Sequence, residues 1–430
     1  VGPFPPTAHS LFTSVLESFY CLKLPNRGPL GAVMPTDAAT DELTAKMASG
    51  GEKRGSADRQ CLPPAARACG ASFALVACLM AGTYWLLRAH SASSDRHVSE
   101  DDKQAFREFA QKYGRMYASP ELKEMRFAIF SANLGVIRST NARQLSYHLA
   151  VNEFADLTLD EFRATHLGLN GVGVPTHLWS GLRSLGNFSA SSNATASLQL
   201  SFPDSVDWAS HLSPPKNQGS CGSCWAFSTI GALEAAWTIA TGERVVLSEQ
   251  QLVDCNHKNN GCGGGSMDTA FAFLTHDVLC TEASYRYEAA SGLCRESACT
   301  TGIPRGGVTG YHDVPSDDEG ALMAAVAQQP VSVGIEADEA TFQLYGGGVL
   351  TKACGAKVDH GVLVVGYGTD EGQKYWKIRN SWGSSWGEGG YIRIARGAVK
   401  TSSSGECGVL SMPSFPVVAA AALEPRPVVV

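Results

Sequence analysis

From Cys69 to Leu87 the chain reads CGASFALVACLMAGTYWLL, 19 residues without a charge, between Arg67 and Arg88. No polar face interrupts the run, so the pattern predicts a membrane-spanning helix rather than a buried core helix, and the length suits a bilayer. Lys53, Arg54, Arg59 and Arg67 lie on its N-terminal side, which favours a signal anchor with that side in the cytosol. Were translation to begin at Met47, the same run would occupy the apolar core of a signal peptide. Both readings place the residues after Arg88 in the secretory lumen. Residues 1–68 are rich in Pro, Gly, Ala and Ser and lack sustained periodicity, as expected of a cytosolic or disordered extension.

The pattern changes at Ser99. SEDDKQAFREFAQKYGRMY opens with a helix N-terminal signal and sets Phe106, Phe109 and Tyr113 at helical spacing. After Pro120 a second helix is predicted, its apolar face drawn by Leu122, Met125, Phe127, Ile129, Phe130, Leu134 and Ile137. Between Leu167 and Leu200 this gives way to Gly, Ser, Asn and Ala, a linker composition. The linker carries Asn187-Phe-Ser and Asn193-Ala-Thr, two candidate glycosylation sites, and is a natural place for a processing cut. A further helix is predicted over Trp225–Ala240, with Cys224 at its start, and residues 417–430 read as a disordered tail.

Charge and cysteine content narrow the function classes. The net charge of −7 and the lack of a Lys/Arg block argue against a nucleic-acid partner. From Ser201 onward 15 Lys+Arg face 24 Asp+Glu, a balance of −9, whereas residues 1–200 carry 19 against 17, or +2. Of the 13 cysteines, Cys21, Cys61, Cys69 and Cys78 precede residue 80. The other nine are Cys221, Cys224, Cys255, Cys262, Cys280, Cys294, Cys299, Cys354 and Cys407. Nine is odd, so full oxidation of that group leaves one free thiol. Cys221 and Cys224 share the stretch GSCGSCWAF. Such a pair is a redox couple, half a zinc site, or a structural cysteine beside a reactive one; no second CxxC accompanies it.

Longer motifs separate these readings. Asn217 to Ser228, NQGSCGSCWAFS, is followed by Val358-Asp-His-Gly361, by Asn380-Ser-Trp-Gly383 and by Trp386-Gly-Glu-x-Gly-Tyr391. In this order they resemble the signatures of papain-family cysteine proteases, and FPDSVDW at 202–208 resembles the family's mature N-terminus. His360 lies 136 residues after Cys224 and Asn380 a further 20, the spacing window of the family's Cys, His and Asn. Upstream, Arg126, Phe130, Asn133, Ile137 and Asn141 resemble the interspersed helix motif of cathepsin L-type propeptides, with Leu122 where that motif has Glu. Ala150, Asn152, Phe154 and Asp156 resemble its second motif, with Ala for Gly.

The resemblance implies an α+β, papain-like two-lobe fold with a helical left lobe and a β-barrel-like right lobe. A helical inhibitory prosegment and one transmembrane helix precede it. The expected divisions are an extension over 1–68, an anchor over 69–87, a propeptide domain over 98–165, a linker over 166–201, a peptidase domain over 202–416 and a tail over 417–430. Cys224 would be the nucleophile, favoured as thiolate by the helix dipole and by His360. His360 would protonate the leaving amine, Asn380 would orient it, and Trp382 would cover their bond. Gln218 and the Cys224 N–H would form the oxyanion hole. His257, His276 and His312 read as structural.

Disulfides implied by the resemblance are Cys221–Cys262, Cys255–Cys294 and Cys354–Cys407. Cys280 and Cys299 are then left over, and some protozoan cathepsin L-like enzymes carry an extra pair at such positions, so a Cys280–Cys299 bridge is expected. Gly264 and Gly265 offer bare backbone to a substrate strand. The main selectivity pocket maps onto Ser266, Met267, Gly334, Val358, Gly361 and Met412, all uncharged, so an apolar side chain is expected there; Trp382 and Trp386 complete the substrate-binding set. The expected activity is that of an endopeptidase of cathepsin L type, made as a monomeric zymogen and released by acid, with Asp156 a candidate pH-sensitive group. Its partners would be peptide substrates, its own prosegment, cystatin-like inhibitors and, through the anchor, a membrane; no metal or cofactor is called for. A lysosome-like or vacuolar compartment is the expected destination, with secretion as the alternative. A catalytically silent, protease-binding relative is the competing class, and the intact Cys224, His360, Asn380 and Gln218 weigh against it.

Overall fold

The computed structural model describes residues 99–169, 184–187, 202–397 and 403–419. The predicted anchor at 69–87, the extension before it and Asn193 lie outside the described residues. Among the described residues no helix is long and apolar enough to cross a membrane.

The prosegment begins with helix α1 (Glu100–Lys112), whose first turn is capped by the Ser99 side chain accepting from the Asp102 amide. Ser119 caps α2 (Pro120–Asn141), with Pro120 at the position where its missing N–H costs nothing. The two helices share an aromatic core of Phe106, Phe109 and Phe130, with ring centroids 5.0–6.1 Å apart. Met125, expected on that face, is 47 % exposed. Arg126, Phe130, Asn133, Ile137 and Asn141 recur every three or four residues and therefore share one side of α2. Three of them fasten the chain that follows. Asn141 clamps Leu149 through both backbone groups at 2.8 and 2.9 Å. Asn133 donates to the carbonyls of Ala155 and Leu157, and Arg126 donates to the Asp156 carbonyl and to Glu161. Asp156 itself accepts from Tyr117 at 3.0 Å and lies 3.7 Å from the Arg115 guanidinium.

This fastening holds two short elements against the enzyme. Strand β1 (Tyr147–Leu149) adds antiparallel to the edge strand at 345–350, and α3 (Leu159–His166) starts at a capping box of Thr158 and Glu161. The β1 pairing requires Gly348: its φ is +90°, and a Cβ there would run into the Ser146 carbonyl. After α3 the chain does not become linker at 166, as the composition predicted; residues 166–169 stay docked on the enzyme. Ser184–Asn187 forms strand β2, also inside the expected linker.

The enzyme domain continues through β3 (Val206–Asp207) to a helical lobe of α4 (Cys224–Thr241), α5 (Glu249–Cys255) and α6 (Met267–Leu274). From Cys224 to Thr238 every residue of α4 is buried, which explains why its apolar pattern goes all the way round. Then come β4 (Leu279–Cys280), β5 (Thr301–Ile303), β6 (Val308–Asp313), α7 (Glu319–Val326), β7 (Val331–Ile335), α8 (Ala340–Gln343), β8 (Tyr345–Leu350), β9 (His360–Asp370), β10 (Gln373–Arg379), β11 (Tyr391–Ala395) and β12 (Ser414–Val418). The main sheet runs β1-β8-β11-β10-β9-β7-β12-β6-β2, with β3 paired to β9, and β4 pairs with β5 apart from it. Strand β12 runs past the expected end of the domain at 416: Val417 and Val418 pair with β6, and the Ala419 amide reaches the Gly307 carbonyl. Ladder hydrogen bonds hold these residues, which composition assigned to a tail.

Two apolar cores result. One gathers Trp225, Phe271, Leu363 and Val365 where α4 and α6 meet β9. The other joins the sheet and Trp382 and Trp386 to Phe154 and Phe162 of the prosegment. Disulfides link Cys221–Cys262, Cys255–Cys294, Cys280–Cys299 and Cys354–Cys407, and among the described cysteines Cys224 alone is free.

Candidate active site

Helix α4 packs lengthwise on β9, so Cys224 at the start of the helix and His360 at the start of the strand meet at one end of the contact. Ser228, one turn into α4, donates to the Val362 carbonyl at 2.7 Å and fixes this register. His360 Nε2 lies 2.8 Å from Asn380 Oδ1. That oxygen also accepts from the Ser381 amide, and a carbonyl oxygen only accepts. Nε2 therefore carries the proton in the neutral ring, and Nδ1, buried without a partner, holds the lone pair. Trp382 stacks on the imidazole at 4.7 Å and 27° and is fully buried, so water is kept from the His360–Asn380 bond.

Electrostatics differ from those of an open cleft. Burial pushes the Cys224 thiol up to about 11, against the amides of Gly361, Gly168 and Trp225, which favour the thiolate. Burial likewise pushes His360 down to about 4, with Asn380 acting in the opposite sense and His166 adding to the drop. Burial thus works against the thiolate and the imidazolium alike.

The covering chain is the prosegment. Gln218, fully buried, donates from Nε2 to the carbonyls of His166 at 3.0 Å and Cys221 at 2.8 Å and accepts from Ser381 Oγ at 2.5 Å. The amides of Gly168 and Leu169 donate to the Asp359 carbonyl, and the Gly265 amide donates to the Gly168 carbonyl at 2.9 Å. Gly168 lies so close to Gly222 that any Cβ would strike the Gly222 carbonyl. Leu169 then enters the predicted selectivity pocket. A Cβ built on Gly334 would sit 2.8 Å from Leu169 Cδ2 and 2.9 Å from Met412 Sδ, and Leu169 shares a core with Met267 and Val358. Gly361 keeps the opposite wall open beside Met267.

The threading direction decides what this segment does. In a substrate, the residue filling this pocket precedes the carbonyl that is attacked. Here Leu169 follows the carbonyl held by Gln218, so the chain runs backwards through the cleft.

Two expected substrate-binding residues are placed differently. The amide and carbonyl of Gly264 are used within the loop by Gly261 and Asn260, leaving Gly265 to meet the docked strand. Trp386 is buried beneath Phe342 and Tyr345, with Nε1 on the Gln343 carbonyl, and so supports Trp382 from behind. Ser266 is held by Asn259 through its amide and carbonyl and starts α6 below the pocket. Asn187 ends β2; its side chain is outside the description.

Sequence reading missed His166. Its ring is 5 % exposed and stands edge-on to Phe154 at 4.7 Å and flat on Phe162 at 5.4 Å. It also missed Tyr287, which binds Ser223 Oγ at 2.6 Å and the Gln218 carbonyl at 2.8 Å, bracing both sides of the nucleophile loop. The available signal was Leu167-Gly168-Leu169, an apolar–glycine–apolar step directly after a capped helix.

Comparison with known proteins agrees with this arrangement. Residues 202–417 match the model of the papain family cysteine protease, and residues 106–162 that of the cathepsin propeptide inhibitor domain. The chain is 42% identical over 312 residues to cysteine proteinase RD21A of Arabidopsis thaliana, covering 71% of this chain but only 64% of that relative. It is 40% identical over 329 residues to the senescence-specific cysteine protease SAG39 of Oryza sativa subsp. indica, covering 75% and 92%. Among solved structures, the Amb a 11 cysteine protease of ragweed pollen in its proform aligns with a TM-score of 0.66 at 37% identity, over 75% of this chain and 96% of that one.

Proposed function

We propose, for a chain that belongs to the papain family of cysteine proteases and carries a cathepsin propeptide domain ahead of it, that it is a cysteine endopeptidase of cathepsin L type blocked by its own prosegment. The observation that carries the reading is Cys224, the one free thiol among the described cysteines, at a helix N-terminus beside a His360 whose Nδ1 lacks a partner.

Once residues 166–169 leave, water returns to the cleft and the desolvation that works against both charged forms is relieved. The thiol proton passes to His360 Nδ1, and the helix dipole and imidazolium hold the thiolate. The sulfur attacks the substrate carbonyl, whose oxygen moves to the Gln218 Nε2 donor now spent on His166 and to the Cys224 amide. His360 then protonates the departing amine, and water, deprotonated by the same nitrogen, releases the acyl group. Asn380 keeps the imidazole turned correctly throughout.

Leu169 in the pocket of Met267, Gly334, Val358 and Met412 supports a preference for Leu, Phe or a similar apolar side chain just upstream of the cut residue. Acid release is supported by the burial of His166 and His360 under the docked segment. Delivery through the secretory pathway is supported by four disulfides, which form in oxidising compartments. Attachment through 69–87, a vacuolar or lysosome-like destination and inhibition by cystatin-like proteins belong to the same proposal.

The test is labelling by an epoxide cysteine-protease probe before and after acid treatment. Labelling that appears after treatment and is lost in Cys224→Ala is expected. A treated wild type that stays unlabelled refutes the reading and leaves a binding-only relative.

A further inference from the structure

The docked prosegment leaves an imprint of the cleft it fills. Leu169 marks an apolar pocket, and a second side chain marks a place of opposite chemistry. Arg163, in α3, reaches the enzyme at Asp338: Nε and Nη2 donate to its carbonyl at 3.1 and 2.7 Å, and Nε lies 3.5 Å from the carboxylate. The same guanidinium also meets Asp160 of its own helix at 3.2 Å.

Beside this contact is a cavity of about 250 Å³, walled by Arg163, Leu167, Gly168 and Leu169 on the prosegment side and by Asp338, Lys357 and Asp359 on the enzyme side. Removing the prosegment removes one whole wall, and Asp338 and Asp359 then open directly onto the cleft. Asp359 has one carboxylate oxygen on the Ala337 amide at 2.9 Å. Glu336 adds negative field from behind, with its own oxygens taken by the amides of Gly355 and Lys357.

The location follows from the threading. Counted from the Leu169 pocket, the chain passes Cys224 and then Gln218 before it reaches α3, so Arg163 lies on the far side of the nucleophile from that pocket. Asp359 directly precedes His360, the group assigned to protonate the leaving amine. Asp338 leads into Phe342, whose ring meets Trp382 at 5.7 Å. This is the side that receives the residues after the cut bond.

We infer that Asp338 and Asp359 form an acidic subsite that, in the processed enzyme, takes an arginine or lysine side chain from the first residues after the cut bond. The inference rests on the peptidase function proposed above. Burial pushes the Asp359 carboxyl up to about 7; the Ala337 amide and Arg163 act in the opposite sense, and the neighbouring Asp338 and Glu336 carboxylates add to the rise, so a guanidinium beside this pair meets concentrated negative charge. A substrate guanidinium replaces Arg163 in the same surroundings. The acidic balance of the enzyme half, −9, adds long-range attraction of the same sign.

The experiment uses the full chain after acid activation and internally quenched peptides that share Leu at the apolar pocket. They differ by Arg, Gln or Glu at the first and second positions after the cut bond. At low salt the Arg peptides should be cut with kcat/KM roughly fivefold above the Gln peptides and further above the Glu peptides, and the gap should shrink as salt rises. Asp338→Asn should bring the Arg-to-Gln ratio of kcat/KM most of the way to one, and Asp359→Asn should act in the same direction. Arg peptides no faster than Gln peptides, or an advantage that survives both substitutions, overturns this inference alone. No cleavage of any peptide overturns it together with the peptidase reading.

Discussion

His166→Phe is the substitution that most directly asks how the prosegment senses acid. The imidazole is buried between Phe154 and Phe162, with Nδ1 2.7 Å from Thr165 Oγ1. Burial pushes it down to about 4, against a hydrogen bond to the Phe162 backbone; the nearby charged or titratable groups are Arg115, which adds to the drop, and His360. The docked state thus binds fewer protons than the released one, whose imidazole titrates near its ordinary value of about 6.5. Docking is fully favoured above about 6.5, weakens as pH falls through that value, and stops weakening once pH is below about 4. At about pH 4.5 this difference loosens docking by one to two orders of magnitude, or roughly 2–3 kcal/mol.

A phenylalanine keeps the aromatic stack and removes the proton. The assay is the initial rate at which an epoxide probe labels Cys224 in the intact zymogen, measured between about pH 7 and pH 4. Wild type should open steeply across this range, and His166→Phe should lose roughly one to two orders of magnitude of that rise at the acid end. The response of His360 has the same sign and remains in both proteins, so the variant should flatten without becoming level. Superimposable profiles for the two zymogens would refute the assignment.

Two further outcomes follow from the same contacts. Gly168→Ala puts a methyl group into the Gly222 carbonyl, where backbone on both sides prevents yielding; its zymogen should label at neutral pH at least tenfold faster than wild type while the processed enzymes stay identical. Gln218→Ala should lower kcat of the processed enzyme by roughly 10²–10³-fold, read by steady-state peptide hydrolysis, with probe labelling of Cys224 retained.

What the sequence alone determined is what travels short distances along the chain or belongs to a long motif. Ser99 announced α1 because a cap satisfies an amide within three residues, and Pro120 announced α2 because proline fits a helix's first turn. The α2 motif residues, three or four positions apart from Arg126 to Asn141, fall on one side because a helix repeats every 3.6 residues. Cys224, His360, Asn380 and Gln218 were legible through their motifs, and the structure brings His360 onto Asn380 across β9 and the loop after β10.

Tertiary structure decided the rest. Composition assigned residues 166–169, 184–187 and 417–419 to linker or tail, yet the fold holds them by backbone hydrogen bonds, which are blind to side-chain pattern. Trp386 and Gly264 carry the motif, but their polar groups are taken up within the protein by Gln343, Asn260 and Gly261. Protonation was decided last of all. Burial works against the charged forms of Cys224 and His360, and burial depends on which chain lies over the cleft rather than on their neighbours in sequence.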